Sequence, residues 1–99
     1  MRVFTEKTLS DYGNAYERVR EELKIWTATI GAAQWKNFNE LKADMPATDY
    51  IGNDRYVFNV KGNHYRVIAM IFFATQKVYI RGIFTHAEYT KHQKKLRDL

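Results

Sequence analysis

Tyr56-Val57-Phe58-Asn59-Val60-Lys61-Gly62-Asn63-His64-Tyr65-Arg66-Val67-Ile68-Ala69-Met70-Ile71-Phe72-Phe73 is the stretch on which the fold turns. It is rich in Val, Ile, Phe and Tyr, which pack well on a pleated surface, and it is broken once by a two-residue turn signal. Gly62 and Asn63 both tolerate positive φ, so a primed turn is expected to join strands over residues 56–61 and 64–73. That turn sets the register: Lys61 faces His64, Asn59 faces Arg66 and Val57 faces Ile68. Side chains paired across strands share a face. Lys61, Asn59, His64 and Arg66 are therefore expected on one side of the sheet, and Val60, Phe58, Tyr65 and Val67 on the other.

Downstream, residues 76–85 read as a third strand after a turn within 74–77. An even-numbered loop there sets Tyr79 and Arg81 beside Arg66, giving an open polar face. Residues 86–97 then read as a helix, with Thr85 as a possible cap and cations toward its C-terminal end, where the helix dipole favours them. His86 and Tyr89, three residues apart, share one side of its first turn. Upstream, Pro46 marks a loop between two differently patterned halves. Ahead of it, Val19, Leu23, Trp26 and Ile30 form one apolar stripe, with Glu17, Arg18, Glu21, Glu22 and Lys24 facing away and Gly31 as a stop. A shorter helix over 37–43 buries Phe38 and Leu41, with Trp35 as a core plug. Residues 2–4 suit a short strand, and Thr5 or Ser10 suits a helix cap. The expected fold is α+β: N-terminal helices on one face of a twisted antiparallel sheet of three to four strands, then a short C-terminal helix.

A chain of 99 residues closes one hydrophobic core, so residues 1–99 are expected to form a single domain. The chain has no cysteine, which removes disulfides and thiolate metal sites and fits a reducing cytoplasm. No apolar run approaches the roughly 20 residues of a membrane span, and no secretory leader is evident, so no membrane association is expected. The net charge of +5 is segregated: residues 1–49 hold seven Lys/Arg against eight Asp/Glu, residues 50–99 nine against three. A one-sided positive field favours a polyanion, and nucleic acid is the commonest in a cytoplasm. The blander reading is a basic surface kept for solubility.

Mid-strand arginines are costly unless their face is open or partnered. Arg66 and Arg81, with Lys61 nearby, suit phosphate binding and stabilisation of a pentacovalent transition state; alternatively each is a structural ion-pair partner. His86 and Tyr89 are proton-transfer candidates, although a helix-start hydrogen bonder and a core tyrosine remain open readings. Asn59, Tyr79, Lys91, Lys94 and Lys95 are the candidate RNA contacts, with a solvated helix end as the equally open reading of residues 94–97. Histidines 64, 86 and 92 have no recognisable ligand spacing, and no phosphate-cradling loop or nucleophile motif occurs, so no metal or cofactor is expected.

The run from Asn53 to Ala69, with Val57-Phe58-Asn59, Gly62-Asn63 and Tyr65-Arg66, resembles the signature hairpin of the HigB-type toxins of the RelE superfamily. Arg81 followed by Thr85-His86-Ala87-Glu88-Tyr89 is similar to the family's closing Thr-His-x-x-Tyr motif, and Trp26 and Trp35 sit where the family carries a tryptophan pair. The likeness extends from about residue 15 to residue 92. It implies the toxin of a type II toxin–antitoxin system: a ribosome-dependent, metal-free mRNA endonuclease entering the ribosomal A site and contacting ribosomal RNA. A helix-turn-helix antitoxin of HigA type would neutralise it, in a complex that is a candidate binder of operator DNA. Carried over by position, Arg66 and Arg81 become phosphate or transition-state residues, His86 and Tyr89 the proton-transfer pair, and Lys61 an RNA contact. Where many relatives continue with aspartate this chain has Thr90, so Lys91 or His92 becomes a candidate substitute. The rival readings are a ParE-like gyrase-binding toxin and a non-catalytic RNA-binding module.

Overall fold

The computed structural model describes residues 1–62 and 64–99, apart from the Arg97 side chain. The chain runs β1 (Arg2–Phe4), α1 (Lys7–Ala15), α2 (Glu17–Ala32), α3 (Phe38–Asp44), β2 (Asp49–Gly52), β3 (Arg55–Val60), β4 (Tyr65–Phe72), β5 (Lys77–Thr85) and α4 (His86–His92), ending in a 3-10 segment, Gln93–Asp98. Along α2 the stripe Val19, Leu23, Trp26 and Ile30 is buried, as its three- and four-residue spacing requires. Asn37 caps α3 through its side-chain oxygen, which accepts from the Glu40 amide at 3.0 Å. Trp35 is buried ahead of α3 and donates its indole N–H to Asp44 at 2.7 Å.

The sheet has five strands in the order β1-β5-β4-β3-β2. Two features correct the expected antiparallel sheet of three to four strands. β2 is an extra edge strand, and β1 pairs parallel to β5, so the sheet is mixed. The β3–β4 register is as expected, with Asn59 opposite Arg66 and Val57 opposite Ile68. The expected primed turn falls partly on Asn63, which lies outside the described residues.

Between β4 and β5 the expected register fails. Ile68 pairs with Gly82 but Ala69 pairs with Ile80, so a bulge passes over Arg81. Arg66 consequently faces Phe84, and Tyr79 faces Met70. Thr5 does not cap α1. Its backbone is left-handed at φ 63, and its hydroxyl instead meets the backbone N–H and carbonyl of Ile80, each at 2.9 Å. Ser10 lies inside α1, and α2 runs one residue beyond Gly31.

Alternation then sorts the sheet into two faces. Phe58, Val60, Tyr65, Val67, Ala69, Ile71, Val78 and Ile80 pack with the α2 stripe in the main core. The opposite face is not the open polar surface expected. Val57, Ile68 and Leu96 form a second buried cluster there, flanked by Ile51, Phe84, Tyr89 and Leu99. The C-terminal segment thus straps the β2–β4 half of this face, and the Arg55 guanidinium clasps the Leu99 backbone oxygen through Nε and Nη2. A Cβ on Gly82 would lie 2.9 Å from the Phe84 ring, so the absence of a side chain there leaves room for that ring against the strand. No helix among the described residues is long and apolar enough to cross a membrane.

Candidate active site

Arg66 sits second in β4 and is 8% exposed. Burying a guanidinium this far requires partners, and several are local. Its Nη2 lies 3.1 Å from His86 Nδ1, its Nη1 donates to the Tyr65 carbonyl at 3.3 Å, and its Cζ stands 5.5 Å from the Tyr89 ring centroid. A guanidinium has no acceptor, so it donates to His86. Nδ1 is then the acceptor, and the neutral imidazole carries its proton on Nε2.

What places His86 and Tyr89 over Arg66 is the start of α4. The Thr85 hydroxyl accepts from the Glu88 amide at 3.2 Å, and Glu88 Oε1 accepts from the Thr85 amide at 2.8 Å, a complete capping box. The His86 amide donates to the His64 carbonyl at 2.9 Å, stitching the helix start to the base of β4. One helical turn later Tyr89 packs against the second cluster. The sequence spacing that set His86 and Tyr89 on one side is therefore realised, with Arg66 beneath them. Asn59 completes the group as the cross-strand neighbour of Arg66.

The other sequence candidates are placed apart. Arg81 is exposed at the bulge, three residues along β5 from Phe84 and hence about 10 Å of strand from the position opposite Arg66. Tyr79 shares the Arg66 face but lies farther along it. Lys61 has left-handed backbone at φ 53, and its ammonium donates to the Arg18 carbonyl of α2 at 2.7 Å, which turns it toward the helices and away from Arg66. Lys91, Lys94 and Lys95 are exposed and line a shallow concavity of about 360 Å³ with Thr90, His92 and Gln93. Thr90 sends its hydroxyl to the His86 carbonyl at 3.0 Å. Among the described residues no three His, Cys, Asp or Glu are grouped where they could hold a metal ion.

Sequence reasoning missed Arg55 and Leu96, which fasten the strap against the sheet. The only signal was the apolar Leu96 and Leu99 at the end of an otherwise charged tail. Two tyrosines have raised pKa values. Tyr12, on α1, is pushed up to about 12, first by burial and then by the negative charges of Glu88 and its tyrosine neighbours. Tyr56 is raised by burial and by Tyr50 and Asp54.

Comparison with known proteins gives a consistent result. The model of a RelE-like toxic component of a toxin–antitoxin system, the HigB toxin family, matches residues 19–92. The chain is 42% identical over 92 residues to the mRNA interferase toxin HigB of Escherichia coli strain K12, spanning 90% of this chain and 88% of that protein. The same identity and coverage hold for the proteins named mRNA interferase HigB in Escherichia coli O157:H7 and Shigella flexneri.

Proposed function

The chain belongs to the HigB family of RelE-like toxins, and from that premise we propose that it is an mRNA interferase, an endoribonuclease that silences translation and is held in check by an antitoxin. The observation that carries the reading is the Arg66–His86–Tyr89 group, in which one guanidinium meets both an imidazole and the face of a phenol. RNA cleavage through the ribose 2′-OH needs a base at that hydroxyl, an acid at the leaving 5′-oxygen and a cation on the phosphate. As the O2′–P bond forms and the P–O5′ bond breaks, Arg66 holds the non-bridging oxygens.

The contact between Arg66 and His86 suggests how substrate arms the site. A phosphate competes with His86 Nδ1 for the Arg66 guanidinium, because a charge-assisted bond to an anion is the stronger of the two. Once released, Nδ1 accepts the 2′-OH proton, and Tyr89 protonates the leaving oxygen. Arg81 and the exposed Lys91, Lys94 and Lys95 hold RNA outside this centre. The ribosomal A site, with its ribosomal RNA, is the setting we assign to the reaction, and a helix-turn-helix antitoxin is the assigned partner. The whole chain works as one RelE-like domain in the cytoplasm.

Induction from a tight promoter tests this. Growth should stop and resume on co-expression of the antitoxin, and new 5′ ends should appear within messenger RNA, depending on ribosomes when the purified protein is assayed. Unimpaired growth at confirmed expression would overturn the toxin reading. Growth arrest with intact messages and inhibited gyrase would transfer the protein to the gyrase-binding class.

A further inference from the structure

At the edge of the sheet left uncovered by the C-terminal strap, Phe4 of β1 and Tyr79 of β5 are register partners. Their rings stack with centroids 4.9 Å apart and planes 14° from parallel. Phe72 meets Tyr79 edge-on at 5.9 Å and is 37% exposed, and the Arg2 guanidinium lies 4.9 Å from the Phe4 ring centroid. Arg2 is also the cross-strand partner of Lys77, which in turn pairs with Phe72. By alternation along β4, this row lies on the same face of the sheet as Arg66.

The Arg2–Lys77 pair is the informative feature. Like charges set directly opposite one another on neighbouring strands are destabilising. Among the described residues neither comes within ion-pair distance of a carboxylate. An anion between them would turn that repulsion into attraction. Aromatic rings alone would suit an apolar partner, and cations alone would suit any polyanion. Stacked rings flanked by paired cations match single-stranded nucleic acid, whose unpaired bases stack on aromatic side chains while cations follow the backbone.

We propose that this edge binds one unpaired nucleotide of the RNA substrate, its base stacked on the Phe4–Tyr79 row in place of the Arg2 guanidinium and its phosphate held between Arg2 and Lys77. The site lies on the same face as Arg66, and Met70, opposite Tyr79, is four residues from Arg66 along β4, about 13 Å. A strand crossing the open half of this face therefore reaches both. The displaced cation–π contact is weak at an exposed site, so exchanging it for a stacked base is favourable. The inference rests on the RNA-cleaving reading and adds a substrate-binding subsite to it.

The test is single-turnover cleavage of a defined messenger RNA carrying 2-aminopurine, titrated with protein in whichever form, free or ribosome-bound, the unaltered protein cuts. Phe4→Leu keeps apolar bulk and removes the stacking ring; Arg2→Gln combined with Lys77→Gln removes both charges. Each should raise the half-saturating concentration about five- to hundredfold, lower the limiting rate far less, and abolish the quenching of 2-aminopurine expected with the unaltered protein. Unchanged half-saturation and quenching in folded variants overturns the subsite while leaving the nuclease intact. Variants that cut normally but escape the antitoxin also overturn it, making the patch a protein-docking surface. If the unaltered protein cuts no RNA at all, the parent reading fails first.

Discussion

Arg66 and Arg81 look equivalent in the sequence, and the fold separates them. Arg66 is packed among Tyr65, His86 and Tyr89, so Arg66→Ala should abolish cleavage and also cost about 1–3 kcal/mol of stability, measurable by denaturant unfolding. Arg66→Lys should recover part of that stability but little activity, because a point charge cannot span the imidazole and the phenol face together. Arg81→Ala should leave stability within about 0.5 kcal/mol while weakening RNA binding. His86→Gln and Tyr89→Phe should each slow single-turnover cleavage by roughly 10²–10⁴-fold with ribosome binding retained, and their effects should not add in the double variant. Cleavage at the unaltered rate in both would place the proton transfers elsewhere. The sequence showed His86 and Tyr89 on one side of a helix because helical spacing is local. It could not show the contact with Arg66, which depends on how α4 returns over the sheet, nor the position of Arg81, which depends on one inserted residue.

Elements were legible where side chains repeat. The α2 stripe, the β3–β4 hairpin and the Thr85 cap all follow from short-range patterns, and all are present. β2 was not legible because Asp49-Tyr50-Ile51-Gly52 is a four-residue edge strand, too short for alternation to show and with its first two residues exposed. The C-terminal strap was read as an RNA grip or a solvated helix end because lysines dominate it. Two substitutions separate its parts. Thr85→Ala removes one half of the capping box and should cost about 0.5–2 kcal/mol. Leu96→Ala empties a position that is 1% exposed between Val57 and Ile68, and should cost about 2–5 kcal/mol in chemical unfolding. Because the same cluster supports Tyr89, cleavage by Leu96→Ala should fall further than the loss of folded protein explains; equal losses would show that the strap only stabilises.

At the scale of the whole molecule, the two halves of the chain meet around Tyr12, which packs edge-on against Tyr65 at 6.1 Å and feels the charge of Glu88. Its folded pKa is raised from 10.0 to about 12, so the fold favours the protonated phenol. The stability linked to it is intact below pH 10 and lost as pH rises through about 12. Melting temperature should therefore decline across that window, and less steeply in Tyr12→Phe; identical slopes would assign the decline to other groups such as Tyr56. Charge segregation, by contrast, was visible in the bare sequence, since it needs no knowledge of the fold.

The parallel pairing of β1 with β5 also sets an order of events. Residues 2–4 gain their strand partner only after residues 77–79 have been made, and α1 likewise waits for β5 to pack against it. Closing so long a loop delays completion of the sheet until nearly the whole chain has emerged during synthesis. The group built from Arg66, His86 and Tyr89 is likewise incomplete until α4 has been made. A toxin proposed to attack translating ribosomes is thus unarmed for as long as it is still being translated, and a nascent copy cannot cut the message that encodes it.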